Sequence, residues 1–257
     1  MPESYFRRTG DTTFAPTTHC EGAWSAQDYH FSSLAGLIVH VAQLSRDPDD
    51  TKRLVRVSYD ILGRLPLEEA NVAVETIRPG RKIELVEVTV SLAGRAAIIA
   101  RIWYIDALDT RDVETPTQQT YPVPEDCEDQ QFSTVWEGGF IRQLIGRKVT
   151  GLPEGTFFSW FTSETTMVDT DERIPLAEFF SRIDIANGIA VHHSPTEWAF
   201  PNVDLTVHLY RYPVGQWNGL EATNVWGPDG AGLTSTILHD LDGPLGRAEQ
   251  MQALGRV

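Results

Sequence analysis

The side chains whose types most directly suggest chemistry are two adjacent histidines, His192 and His193, and two cysteines, Cys20 and Cys127. Imidazole and thiolate are common zinc ligands. However, no histidine, cysteine or carboxylate stands at a metal-ligand spacing from the histidine pair, and no His-Glu-x-x-His segment occurs. The cysteines are too few and too far apart for a disulfide framework or a zinc site. We therefore expect the histidines to lie in a loop, and the sequence implies no metal or redox cofactor.

Other common catalytic signatures are also missing from the sequence. There is no Gly-x-Ser-x-Gly elbow, which disfavours a Ser-His-Asp hydrolase. There is no phosphate-binding loop and no dinucleotide fingerprint. The glycines at positions 227, 230 and 232 lie between strand-like runs and are better interpreted as turn residues.

Composition excludes further classes. The chain has 257 residues, 41% of them hydrophobic, and a net charge of −15. Binding to duplex nucleic acid needs a basic face, so that class is disfavoured. The longest apolar run, Leu34 to Leu44, contains His40 and Gln43 and is well short of the ~20 residues that cross a bilayer. The arginines near the N-terminus are not followed by an apolar stretch, so no signal peptide is predicted. We expect a soluble, cytoplasmic protein.

The chain contains an internal repeat. Arg64, Pro66 and Gly80 are matched by Arg211, Pro213 and Gly227, each at an offset of 147 residues. The next turn, Ala93-Gly94-Arg95, is matched by Leu241-Asp242-Gly243, with an offset of 149 between Gly94 and Gly243. A period this long indicates a domain-sized unit present twice, and a fused pair usually places its site where the copies meet.

Each copy has the pattern of a helix followed by an antiparallel meander. Leu34, Leu37, Ile38, Val41 and Leu44 have helical spacing. The second copy has a shorter helical candidate, and its strand Val203–Tyr210 alternates apolar and polar residues. The predicted helices are Ser32–Leu44 and Leu176–Ile185. The predicted strands are Thr12–Pro16, Arg53–Leu62, Asn71–Ile77, Lys82–Leu92 and Ala96–Ile105 in the first copy, and Gly139–Val149, Thr156–Ser163, Val203–Tyr210, Trp217–Val225, Ala231–His239 and Leu245–Leu254 in the second.

This order predicts an α+β double hotdog, in which each of two helices is wrapped by a curved antiparallel sheet. We place the N-terminal hotdog at residues 1–105, an exposed linker at 106–130 and the C-terminal hotdog at 131–257. The linker is rich in Thr, Pro, Gln, Asp and Glu and has almost no apolar pattern. Two unrelated α+β domains are the alternative, and the shared spacing of arginine, proline and glycine argues against it.

Several segments resemble the acyl-CoA thioesterase II (TesB-like) family. The strongest is Phe200-Pro201-Asn202-Val203-Asp204-Leu205-Thr206-Val207-His208-Leu209. Asp184-Ile185-Ala186-Asn187-Gly188, Pro228-Asp229-Gly230-Ala231-Gly232-Leu233 and Asp242 to Gln250 are also similar, and Arg78-Pro79-Gly80-Arg81 fits the corresponding N-terminal turn. The resemblance spans roughly residues 14 to 254, apart from the linker.

The resemblance implies a catalytic site on the second copy. Its residues would be Asp184, Asn202 and Gln250, with Gln252 as the alternative to Gln250, and they would hold a water for attack on a thioester carbonyl. A carboxylate accepts a proton from the water, and the two amides orient it. Backbone N–H groups at the start of a core helix would stabilise the oxyanion. The alternatives are purely structural roles: Asp184 pairs with Arg182, Asn202 satisfies a turn and Gln250 faces outward.

The chain departs from the family at the start of the first helix. Family members commonly carry Gly-Gly there, and this chain has Phe31-Ser32-Ser33. We expect the added Cβ atoms and the phenyl ring to narrow the approach of substrate. A catalytically weakened double hotdog that binds an acyl thioester or a lipid is therefore the alternative function. A hydratase ranks last, because no histidine lies five residues after Asp184.

The predicted substrate is an acyl-CoA. Four aromatic residues, Trp198, Phe200, Trp217 and Trp226, are candidates for an acyl tunnel, although filling of the core is the commoner role of such residues. Four arginines are candidates for offsetting the charge of coenzyme A, namely Arg64, Arg78, Arg81 and Arg211. Hotdog sheets have long edges, so a homo-oligomer is expected.

Overall fold

The computed structural model describes residues 3–118, 121–191 and 193–257. Its first half contains β1 (Ser4–Arg8), β2 (Thr13–Pro16), α1 (Phe31–Leu44), β3 (Lys52–Ile61), β4 (Ala70–Arg78), β5 (Ile83–Leu92) and β6 (Arg95–Asp106). Its second half contains β7 (Glu128–Gln130), α2 (Gly139–Arg142), β8 (Ile145–Lys148), β9 (Phe157–Thr162), β10 (Thr166–Val168), α3 (Pro175–Phe180), α4 (Ala186–Ile189), β11 (Trp198–Ala199), β12 (Asp204–Leu209), β13 (Asn218–Trp226), β14 (Ala231–Asp240), β15 (Gly243–Ala253) and β16 (Gly255–Arg256).

Within the described ranges, fourteen strands form one continuous sheet in the order β10-β1-β2-β4-β5-β6-β3-β12-β15-β14-β13-β9-β8-β7. The order β2-β4-β5-β6-β3 is mirrored by β9-β13-β14-β15-β12, so the two halves repeat the same meander. The halves join where β3 and β12 pair antiparallel, with Asp204 opposite Asp60 and His208 opposite Arg56. The division at residues 105 and 131 stays a prediction.

The helices lie inside the curve of the sheet. α1 is buried along nearly its whole length and contacts β4 and β5, and it also packs against α3. A helix that is apolar on almost every side is stable only when other elements bury it. The sequence of α1 therefore places it in the core, inside the sheet. α4 contacts β9, β13 and β14 in the same way. A central helix wrapped by an antiparallel sheet, present twice, is the double hotdog fold, as expected from the sequence.

Several element predictions are confirmed. α1 begins one residue before its predicted start, and the bounds of β3 to β6 agree to within one residue at each end. In β12, Leu205, Val207 and Leu209 are buried on one face, as their alternation predicted. The Ala93-Gly94 turn is a two-residue hairpin with positive φ at both residues, 50° and 74°, which is the geometry that matches the twist of its strands.

Other predictions are wrong in part. The run predicted as a strand from Gly139 begins with the helical turn α2, and only Ile145–Lys148 is extended. The predicted second helix ends at Phe180, and a turn then leads to α4. The end of the predicted exposed linker is packed, because Tyr121 stacks on Phe158 at 3.8 Å and Trp160 Nε1 donates to the carbonyl of Pro122 at 2.9 Å. No pattern in the sequence marked the short strands β1, β10, β11 and β16.

The histidine pair is only partly described. His193 lies in a loop, as predicted, with its ring 4.8 Å from that of Trp226. His192 lies outside the described residues. None of the helices in the described ranges combines the length and apolar character needed to cross a bilayer.

Close packing at Gly139 leads to a prediction on stability. α2 starts against the segment 18–22, where Phe140 N donates to the carbonyl of Glu21 at 3.2 Å. A Cβ at Gly139 would overlap the carbonyl oxygen of Thr18. We expect Gly139→Ala to lower the free energy of unfolding by about 3 kcal/mol, since backbone on both sides must shift. Urea unfolding measures the loss. Gly255→Ala is the matched control, because a Cβ there meets nothing within 4 Å, and a similar loss in both variants would contradict the packing argument.

Candidate active site

Asp184 is the centre of the site. It lies in the turn between α3 and α4 and is 4% exposed. Its Oδ1 accepts hydrogen bonds from Asn202 Nδ2 at 2.6 Å and from Gln250 Nε2 at 3.1 Å. Its Oδ2 accepts a hydrogen bond from Ser32 Oγ at 3.2 Å. The structure therefore brings together the three residues that the sequence singled out, and adds a fourth from the other half of the chain.

Each partner of Asp184 is held by its own element. Asn202 lies between Pro201 and β12, and its Oδ1 accepts from Asn187 Nδ2 at 2.9 Å, which turns its own amide N–H group toward Asp184. Gln250 is fully buried on the inner face of β15, and its Nε2 also donates to the main-chain carbonyl of Asp184 at 3.0 Å. The side-chain oxygen of Gln250 is buried and has no protein partner among the described residues.

Two alternative arrangements, a pair of Asp184 with Arg182 and a contact of Gln252 with Asp184, are not formed. Arg182 does not pair with Asp184, because its guanidinium donates to Asn218 Oδ1 at 2.9 Å and to the carbonyl of Gln216. Gln252 is buried, but its amide makes no hydrogen bond within the described part of the chain and does not contact the carboxylate. Gln250 is the strand residue that reaches Asp184.

Burial raises the pKa of Asp184 to about 6, while the hydrogen bonds from Ser32, Asn202 and Gln250 act in the opposite direction. Burial disfavours the charged form, and donors aimed at the oxygens favour it. The carboxylate is therefore a stronger base than an exposed aspartate and is still ionised at neutral pH. This is the combination that suits a general base.

The start of α1 supplies two residues that the sequence did not assign to the site. Ser32, whose Cβ was expected to narrow the approach of substrate, donates to Asp184. His30 caps the helix through its Nδ1, which accepts from Ser32 N at 3.3 Å and lies 3.5 Å from Asp184 Oδ2. Burial lowers the pKa of His30 to about 4, so its imidazole is neutral. Ser32 and Ser33 do not line the cavity, whereas Phe31 does. The departure from Gly-Gly therefore adds a hydrogen bond to Asp184 and places a phenyl ring in the cavity, and the expected narrowing of the approach of substrate stays a prediction.

A cavity of about 230 Å³ opens beside Asp184, and Asn202, Asn187 and His30 also line it. Of the aromatic residues suggested for an acyl tunnel, Phe200 lines the cavity, and Trp198, Trp217 and Trp226 do not. Trp24 and Trp136, from loops without periodic patterns, take part instead. Their roles had no signal in the sequence, since only the tertiary fold brings these loops together.

The candidate arginines are widely separated. Arg64 lines the cavity and pairs with Asp28, with Nε at 2.7 Å from Oδ1. Arg211 pairs with the buried Asp240, and Arg78 donates to the carbonyl of Ile83 at the β4–β5 turn. Arg81 lies exposed in the same turn. Arg64 is the member of this group that is placed to meet a ligand in the cavity.

Comparison with protein families identifies the class of protein that this fold and site define. Residues 20–105 match the model of the acyl-CoA thioesterase N-terminal domain, and residues 123–254 match that of the acyl-CoA thioesterase C-terminal domain. The chain belongs to the acyl-CoA thioesterase family. No protein with curated annotation matches it in sequence.

Solved structures share the fold along nearly the whole chain. A hot dog protein of unknown function from Alicyclobacillus acidocaldarius has a TM-score of 0.74 at 12% identity, covering 97% of this chain and 95% of its own. The acyl-CoA thioesterase II TesB2 from Mycobacterium marinum has a TM-score of 0.69 at 14% identity, with coverage of 98% and 96%. The tesB protein of Mycobacterium avium subs paratuberculosis has a TM-score of 0.69 at 14% identity, with coverage of 97% and 95%. These similarities establish the double hotdog architecture.

Proposed function

We propose that the protein hydrolyses acyl-CoA thioesters with a water activated by Asp184. The observation that carries the proposal is the buried carboxylate, which faces a cavity and receives donors from Asn202, Gln250 and Ser32. A structural aspartate buried this deeply is usually paired with a cation. The described groups around Asp184 are instead neutral, so its charge is available to accept a proton.

The chemistry follows from this geometry. Asp184 takes a proton from water as the water oxygen attacks the thioester carbon. Asn202, which lines the cavity, orients that water, and Gln250 positions the carboxylate. The carbonyl oxygen becomes an oxyanion. We assign the N–H of Phe31, at the start of α1, as its hydrogen-bond donor, because the first N–H groups of a helix have no partner within the helix. Collapse of the intermediate breaks the carbon–sulfur bond. Asp184 then returns its proton to the leaving thiolate, and the free acid and coenzyme A are released.

Release of free thiol tests the proposal. Purified protein is expected to release thiol from acyl-CoAs, and Asp184→Asn is expected to slow the release by at least about 10²-fold. Octanoyl-CoA compared with the octanoyl thioester of N-acetylcysteamine separates hydrolysis from recognition of the nucleotide, because only the first carries phosphates. Binding of acyl-CoA without any thiol release would contradict the hydrolase proposal and favour the alternative of a binding protein.

The pH dependence of the reaction is predicted from the pKa of Asp184. The base must be ionised, so kcat/KM is expected to rise through a midpoint near pH 6 and to be level above it. Ser32→Ala removes a donor that favours the ionised form, so its midpoint is expected to lie higher than that of the wild type. Ser33→Ala is the matched control, because Ser33 Oγ donates to the carbonyl of His30 and not to Asp184. The assignment fails if both serine variants move the midpoint equally.

A further inference from the structure

One wall of the cavity beside Asp184 is formed by three aromatic rings in mutual contact, those of Trp24, Trp136 and Phe200, which we call the aromatic cage. The ring centroids lie 5.1 Å apart for Trp24 and Trp136, 5.3 Å for Trp24 and Phe200, and 5.7 Å for Trp136 and Phe200. All three pairs meet edge to face, with interplanar angles of 73°, 85° and 82°. The three residues come from separate segments of the chain, so the cage exists only in the folded protein.

The cage is anchored on its inner side. Trp136 Nε1 donates to the carbonyl of Gly188 at 3.1 Å, which fixes the plane of its indole ring. Phe200 is 2% exposed, whereas Trp24 is 49% exposed and forms the outer member. Apart from Asp184, the charged side chains that line the cavity among the described residues are Asp28 and Arg64, and these pair with each other. A charged acyl group would therefore find no unpaired partner in the cavity.

The size of the cavity limits the acyl group. An apolar cavity of about 150 Å³ holds benzene, which is roughly 25 Å³ for each carbon. At that scale the 230 Å³ present here accommodates about nine carbons. A palmitoyl group would need roughly 400 Å³ on the same scale, and its far end would have to remain in water.

We propose that the substrate is a thioester of a compact aromatic acid, of the size of a phenylacetyl group, whose ring packs against the aromatic cage from the cavity. The inference rests on the hydrolase function proposed above. A ring meets the cage with the edge-to-face contacts that aromatic pairs prefer. It also loses fewer rotatable bonds on binding than a linear chain with the same number of carbons. Both effects favour the aromatic acid over its linear counterpart.

Phenylacetyl-CoA and octanoyl-CoA make a matched test, since both acyl groups have eight carbons. We expect kcat/KM for phenylacetyl-CoA to exceed that for octanoyl-CoA by about tenfold, the factor expected from one to two favourable ring contacts. Palmitoyl-CoA is expected to be at least as poor as octanoyl-CoA. Trp24→Leu opens the cage at its exposed member and is expected to bring the two eight-carbon substrates to within about twofold of each other. Trp103→Leu, a half-buried tryptophan on β6 that does not line the cavity, should keep the preference.

The outcomes separate this inference from the function on which it rests. Hydrolysis of octanoyl-CoA or palmitoyl-CoA as fast as that of phenylacetyl-CoA would overturn the aromatic substrate and leave the hydrolase intact. If no thioester is hydrolysed, calorimetric binding of the two eight-carbon thioesters decides. Tighter binding of phenylacetyl-CoA would support the cage while the hydrolase proposal fails, and equal binding would overturn the cage as well.

Discussion

Replacement of Asp184 by asparagine is expected to lower kcat by about 10²–10⁴-fold, the range that a positioned general base contributes. Asparagine keeps the shape of the side chain. Its oxygen, in the place of Oδ1, accepts from Asn202 and Gln250, and its Nδ2 donates to Ser32 Oγ, but it cannot take a proton from water. Binding of the thioester should change little, since the carboxylate acts on the water and not on the acyl group. Single-turnover thiol release measures the chemical step, and calorimetry measures the binding.

Stability provides the control for this variant. The pKa of Asp184 is raised to about 6 in the folded protein, from 3.8. Between these values the folded protein binds more protons than the unfolded chain, so this group lowers stability as pH rises through that window and keeps its cost above pH 6. Removing the charge should leave the melting temperature at pH 7 unchanged or higher. Lost activity with a lower melting temperature would indicate misfolding. Asp60→Asn, on the exposed side of β3, should change neither quantity.

The sequence predicted the strands and the central residues of the candidate site better than the residues that line its cavity. In both copies of the 147-residue repeat, apolar and polar residues alternate strongly along the strands. Burial of one face of the sheet enforces that pattern. Asp184, Asn202 and Gln250 were found because they lie in segments that resemble the family. Their convergence on one carboxylate is a property of the fold: Gln250 reaches Asp184 only because β15 passes under the turn between α3 and α4.

The residues that sequence reasoning missed share a physical cause. Trp24 and Trp136 lie in irregular loops, and nothing local indicates that their rings meet. Ser32 was interpreted by its bulk relative to glycine, and the hydrogen bond from its hydroxyl group to Asp184 was not anticipated. Similarly, Gly139 permits α2 to lie against the segment 18–22, which leads to Trp24. The second half of the chain carries Asp184, and the first half supplies Ser32 and Trp24, so the candidate site is built from both halves.

Asn202→Asp provides the second large expected effect. The amide of Asn202 lies 2.6 Å from Asp184 Oδ1 and donates to it. An aspartate of the same shape would put two carboxyl groups in contact, and both cannot be ionised at that distance. The pair would share a proton, and its second ionisation would occur well above pH 6. We expect activity at pH 7 to fall by about 10²-fold, since the proton occupies the oxygen that must receive one from water.

The pH profile distinguishes this cause from simple loss of a contact. If the shared proton is responsible, activity of Asn202→Asp should recover progressively as pH rises, with a midpoint at least one unit above that of the wild type. Asn202→Ala, which removes the donor without adding a charge, should lose activity with a much smaller change of midpoint. Asn71→Asp, at an exposed position on β4, should behave as the wild type. A wild-type midpoint in Asn202→Asp would mean that Asp184 is not the group whose ionisation controls the rate, and the water would then have to be activated elsewhere in the cavity.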